Sequence, residues 1–154
     1  MSERRAPMDP DVDLHVPRQR AEMARAPWPT LGAVSAGGAI GALGRYGLGQ
    51  AFPAGPGAFP WATFAINVSG CLLIGVLMAV LAVRNAHPLV RPFLGVGVLG
   101  GYTTFSTYVV DVQRIAGLGR PGVALAYLVA TPVCALVAVY AGVRGTRRLV
   151  GEAR

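Results

Sequence analysis

The chain has 154 residues, 53% of them hydrophobic and only 14% charged, well below the roughly 25% charge of a soluble domain. Its net charge of +7 rests on fourteen basic residues, all arginine. Those arginines lie at the chain ends and mostly at the borders of apolar stretches, without the interleaved aromatics of a nucleic-acid surface. The balance therefore excludes both a water-soluble globule and a nucleic-acid-binding domain, leaving no nucleic acid among the expected partners.

Residues 1–27 are polar and rich in Arg, Pro and acids, the composition of a disordered cytoplasmic tail. They do not read as a signal peptide, because the apolar stretch that follows is too long and precedes further spans. Four apolar segments come next: Leu31–Gln50, Trp61–Val83, Pro92–Ala116 and Val123–Val143. Each reaches the ~20 residues a helix needs to cross the hydrocarbon core. Their connectors carry turn chemistry at Pro53–Gly57, Arg84–Pro88 and Gly117–Pro121. Trp28 and Trp61 stand where an aromatic belt is expected. The expected fold is an all-α membrane protein with four transmembrane helices over residues 28–146, followed by a short basic C-terminal tail, 147–154. Arg18, Arg20, Arg25, Arg84, Arg91, Arg144, Arg147, Arg148 and Arg154 would flank one side, against Arg114 and Arg120 on the other. The positive-inside rule then places both termini in the cytoplasm of a plasma-membrane protein.

Polar residues inside such spans need a reason. Arg45 lies within the run Gly37–Tyr46, where Gly37 and Gly41 have the spacing of close helix contact. It reads either as an arginine snorkelling to the interface or as a cation at a water-filled mouth that attracts anions. Asn67 shares a helix face with Thr63, four residues earlier. Its amide suits either a hydrogen bond between helices or the solvation of an anion stripped of water. The third span contains Gly100-Gly101-Tyr102-Thr103-Thr104-Phe105-Ser106-Thr107-Tyr108. Paired glycines followed by hydroxyl residues make a poor continuous helix, so a break is expected here at mid-membrane. Freed carbonyls at that depth mark an ion site. Asp111 with Arg114 one turn on reads as a local ion pair, and Thr131-Pro132 as a kink. Cys71 and Cys134 read as small buried hydrophobes. Neither His15 nor His87 has a metal-ligating partner at usable spacing, and no catalytic triad can be assembled, so no enzyme is expected.

Taken together, the segments Gly37–Tyr46, Thr63–Gly70 and above all Gly100–Tyr108 resemble the Fluc (CrcB-like) fluoride channels, over about residues 31–144. That resemblance implies a small antiparallel dimer of dual topology that passively conducts fluoride out of the cell through two pores lined by both subunits. It implies a structural sodium ion held by the backbone carbonyls of Gly100 and Thr103. Phe105 and Tyr108 would turn their rings to the pores, with Ser106 and Thr107 between them. Asn67 and Thr131 would join the polar lining, and Arg45 would stand near the vestibule. The expected partners are fluoride, membrane lipid and a second subunit. Three positions depart from the family pattern: Tyr108 where phenylalanine is usual, Asp111 for glutamate, and Thr131 for serine. Opposed subunits of one sequence must insert both ways, whereas this arginine distribution is one-sided. A homologous subunit of opposite topology therefore stands beside a second copy as the expected partner.

Two other classes compete. A four-span proton-coupled drug exporter needs a carboxylate in the first span, and Pro29–Phe52 contains none. A non-transporting assembly subunit would use the glycine faces but leaves the hydroxyl-rich third span unexplained.

Overall fold

The computed structural model describes residues 27–84 and 86–151. The expected N-terminal tail lies outside them but for Pro27, as do residues 152–154. Among the described residues every regular element is helical. Helix α1 spans Pro27–Ala51 and α2 spans Trp61–Leu81. The third passage starts as α3, Arg91–Leu99, wound as a π-helix, and continues for one α-turn, Gly100–Tyr102. It resumes as α4, Ser106–Gly117, and α5 runs from Pro121 to Gly151. The last helix thus extends into the segment expected as a C-terminal tail.

Three stretches are long and apolar enough to cross a membrane: Trp61–Leu81, Arg91–Gly117 and Pro121–Leu149. α1 has the length at 25 residues, but its glycines dilute its apolarity. The burial pattern is inverted relative to a soluble protein. Leu43, Leu73, Leu125, Leu136 and Val137 are exposed, while the buried core holds little more than Ile66, Ala79, Tyr108, Ile115, Ala124, Tyr127 and Ala138. Apolar area of that extent facing outward belongs in lipid or against another subunit. The chain is a multi-pass membrane protein.

Two helix pairs organise the fold, α1 on α3 and α2 on α5. Both depend on glycine. A Cβ on Gly37 would strike the Phe93 carbonyl, and one on Gly41 the Val98 carbonyl. Gly101 approaches Gly38 in the same way. On the other pair, a Cβ on Gly75 would meet the Val139 carbonyl and one on Gly142 the Leu72 carbonyl, each at 2.5 Å. Small residues in register let backbones touch where lipid offers no hydrophobic drive for association. The register also shows that α2 and α5 run parallel, so Arg84, Arg91, Arg144, Arg147 and Arg148 gather at one end. Arg114 and Arg120 lie at the other.

The α4–α5 corner follows from its sequence. Gly119 takes φ +73°, a left-handed conformation that a side chain would resist. The Gly119 N–H then donates to Ala116 O (3.0 Å) and the Arg120 N–H to Ile115 O (3.2 Å), a Schellman cap. Pro121 opens α5 directly, at a position where a missing N–H is harmless. The π-winding of α3 was not expected. Gly95 and Gly97 lower the resistance of that stretch to leaving α geometry, and such winding often lies beside functional sites.

Candidate functional site

The helical run of the third passage stops at Tyr102. Thr103 is extended, with φ −79° and ψ 158°, and regular winding resumes only at Ser106. This interruption is fixed from three sides. From α2, the Asn67 amide grips Thr104 at both polar backbone atoms: Nδ2 donates to Thr104 O (2.9 Å), and the Thr104 N–H donates to Asn67 Oδ1 (2.8 Å). Gly70, one turn further along α2, leaves room for the Thr103 methyl, which a Cβ there would strike. From α1, Arg45 Nε donates to Gly101 O at 3.0 Å. Within the passage, the Thr104 hydroxyl accepts the Thr107 N–H (3.2 Å), a cap on the restarted helix. Thr103 Oγ1 donates back to Leu99 O at 2.9 Å.

A second break in hydrogen bonding lies opposite, on α5. Pro132 sits inside the helix and has no N–H, so the carbonyl four residues earlier, Leu128 O, loses its helical donor. The Tyr108 hydroxyl fills that place at 2.6 Å. One residue before the proline, Thr131 Oγ1 donates to Tyr127 O at 2.9 Å.

Between these features lies an open cleft of about 410 Å³, lined by Asn67, Cys71, Thr103, Phe105, Tyr108 and Thr131 among others. Gly100 also lines it. The cleft therefore gathers most of the residues singled out from sequence. Phe105 projects outward, 77% exposed, while Tyr108 is buried, and the two rings lie 5.8 Å apart. Ser106 and Thr107 do not join this cleft. Ser106 is exposed beside Thr104 Oγ1 (3.4 Å). Thr107 lines a second cleft of about 350 Å³ with Thr63, Asp111 and Arg114. There the Asp111 carboxylate accepts Thr63 Oγ1 (3.2 Å) and faces Arg114 at 3.5 Å. Arg45 lies in neither and is occupied by the Gly101 carbonyl.

Not every hydroxyl is a free donor. The protons of Thr103, Thr131 and Tyr108 are already directed to carbonyls. The Asn67 amide keeps one N–H beyond the bond to Thr104. Tyr127, which sequence inspection did not single out, is fully buried with a hydroxyl that has no hydrogen-bond partner among the described residues. Its ring stacks edge-on against Tyr108 (5.2 Å) and Phe59 (5.1 Å). Its spacing of four residues from Thr131 was the available signal, since the two share one face of α5. Also missed was the pairing of Ser69 Oγ with Tyr102 Oη, 3.1 Å apart.

This geometry has close relatives in sequence. The profile of the family described as CrcB-like protein, Camphor Resistance (CrcB), matches residues 32–143. The chain belongs to the CrcB-like family. It is 51% identical over 127 residues to the fluoride-specific ion channel FluC 2 of Thermobifida fusca, covering 82% of this chain and 94% of that protein. It is 48% identical over 124 residues to FluC 2 of Streptomyces avermitilis, covering 80% and 78% of the two chains. To the fluoride-specific ion channel FluC 1 of Streptomyces coelicolor it is 50% identical over 123 residues, 79% of this chain and 80% of the other. The matched region of this CrcB-like chain spans the interrupted passage, Asn67, Arg45 and Thr131. The unmatched residues are the polar N-terminal segment and the arginine-rich end.

Proposed function

We propose that this CrcB-like protein is a fluoride channel of the cell membrane, with four spanning helices and both termini in the cytoplasm, that lets fluoride leave the cell down its gradient. As a member of a channel family it is not an enzyme. The observation that carries the reading is the cleft at the helix interruption, which is polar and aromatic inside yet open along one side. Hydrocarbon cannot satisfy the spare Asn67 N–H or the carbonyls freed at the interruption. A second subunit closing the cleft would turn an open groove into a lined path, and Phe105 is the ring such a subunit would cover. The one-sided arginines favour a homologous subunit of opposite topology over a second copy.

Fluoride holds its water tightly, so a path must replace hydration with several weak donors instead of one trapping charge. The spare Asn67 N–H, on the wall of the cleft, is such a donor. The positive ring edges of Phe105 and Tyr108 add attraction without a formal charge. Asp111, tied to Thr63 and Arg114, keeps its negative charge engaged at one end of the path. Arg45 holds the Gly101 carbonyl and places a cation beside the interruption.

The residues present also fit a structural sodium ion. Sodium is a hard cation that takes oxygen ligands. Thr103 leaves helical geometry, which frees its carbonyl from the ladder, and Gly100 is exposed on the cleft with open space where a side chain would stand. Among the described residues no cluster of His, Cys, Asp or Glu competes as a metal site. Two carbonyls from one chain fall short of the six or so oxygens hard cations collect (about six for Ca²⁺ and Mg²⁺). The site would thus be completed by the second subunit, linking ion and assembly. Efflux from fluoride-loaded liposomes, measured for this chain alone and with a co-expressed homologue, tests function and assembly together.

A further inference from the structure

We propose that Arg144, Arg147 and Arg148, with Tyr140, form a binding site for the phosphate headgroup of an anionic phospholipid at the end of α5. The inference rests on the membrane reading but not on fluoride conduction. α5 has 31 residues, which at ~1.5 Å per residue is roughly 46 Å, against a hydrocarbon core of ~30 Å. Counting about 20 residues from Pro121 places Tyr140 at the hydrocarbon border. Arg144 to Arg148 then lie roughly 6–12 Å further on, in the headgroup layer. Helical side chains lean toward the N-terminus of their helix, which here means back toward the bilayer.

Three observations give the end of α5 the form of a site. Tyr140, Arg144, Arg147 and Arg148 recur at three- and four-residue spacing, so they share one face. With Val143 they line a shallow cleft of about 350 Å³. The Arg144 guanidinium lies over the Tyr140 ring, 5.9 Å from its centroid, which holds it at the border of apolar and polar layers. Cations favour a helix C-terminus, but that effect fades beyond the last turn. Of the three, it accounts for Arg148 alone. Like charges at this spacing oppose the helix unless an anion sits between them. Among the described residues the single carboxylate is Asp111, at the opposite end; Glu152, four positions past Arg148 in the sequence, lies outside them. Arg84 and Arg91 at the same end line a neighbouring cleft with His87 and add to the positive field. A phosphodiester, with its acyl chains running down the apolar face below Tyr140, meets both the charge and the depth of the arginines.

Native mass spectrometry of the full chain in neutral detergent, with equimolar phosphatidylglycerol and phosphatidylcholine, tests this directly. Each basic residue near an anionic surface strengthens association about fivefold. Wild-type protein should retain phosphatidylglycerol selectively, and the R144Q/R147Q/R148Q variant should bind it about a hundredfold more weakly. R120Q, changed at the opposite end, should bind as wild type. If the triple variant fails to fold, R147Q alone should show the fivefold loss. Undiminished phosphatidylglycerol binding by the arginine variants would overturn the proposal. So would a larger loss in R84Q/R91Q, or displacement of the lipid by millimolar inorganic phosphate, which would mark a free-anion site. Lipid retention is read without fluoride, so a failure here is separable from a failure of the channel reading.

Discussion

The hydroxyl of Tyr108 lies 2.6 Å from the carbonyl of Leu128, the acceptor that Pro132 deprives of its helical donor. The neighbouring helix thus gives the Tyr108 hydroxyl a structural role. The bond ties the restarted α4 to the middle of α5. Its proton is committed, so Tyr108 offers the path a ring and not a donor.

The pairing predicts a specific coupling. Tyr108→Phe should destabilise the protein by about 1–2 kcal/mol, the cost of leaving a buried acceptor unpaired. Pro132→Ala restores a backbone donor for Leu128, so adding Tyr108→Phe to that background should cost well under half as much. Thermal unfolding of the two single variants and the double variant in detergent reads the interaction. Equal costs in both backgrounds would mean that Leu128 O is satisfied some other way.

Asn67 holds Thr104 by donor and acceptor at once, which no apolar residue can imitate. Asn67→Ala should lower stability by roughly 2–4 kcal/mol through two buried groups left without partners. Fluoride flux per folded channel should also fall at least about tenfold, because the interruption loses its register and the path loses an N–H. A stable, fully conducting Asn67→Ala protein would remove the amide from the account.

Phe105 makes a different case. It is largely exposed in the single chain, so Phe105→Ala should change the stability of the folded subunit by less than about 1 kcal/mol. Its expected effect is on transport, a fall in efflux of at least about tenfold from protein that still folds and inserts. Unchanged efflux would place the path elsewhere.

The glycine seam can be tested within one helix. Gly41→Ala drives a methyl into the Val98 carbonyl, a backbone atom that cannot rotate away, and should cost about 2–3 kcal/mol or prevent assembly. Gly32→Ala, with open space around it, should be neutral or stabilising by up to about 1 kcal/mol. The ratio of folded to aggregated protein by size-exclusion chromatography separates the two.

Much of this architecture was legible in the chain because a bilayer punishes exceptions. Asn67, Thr131 and Arg45 stood out as polar residues in apolar runs, and the structure gives each a hydrogen bond. The ends of the helices followed from Pro53–Gly57 and Gly117–Pro121, where glycine and proline can do only a few things. What stayed hidden depends on register between helices. Nothing in sequence aligns Tyr108 with the carbonyl orphaned by Pro132, or buries Tyr127 edge-on against Tyr108. The separation of Thr107 from Phe105 into different clefts is likewise a matter of which way the chain restarts after Thr103. The π-winding of α3 was hidden too, since glycines permit it without requiring it.

The most direct measurement is fluoride efflux from liposomes holding the purified chain, alone and with its co-expressed homologue, read with a fluoride electrode against chloride-loaded controls. The account predicts passive fluoride efflux with no matching chloride efflux, and greater activity when the opposite-topology partner is present. Folded protein that passes no fluoride in either preparation, or passes chloride equally well, would contradict it.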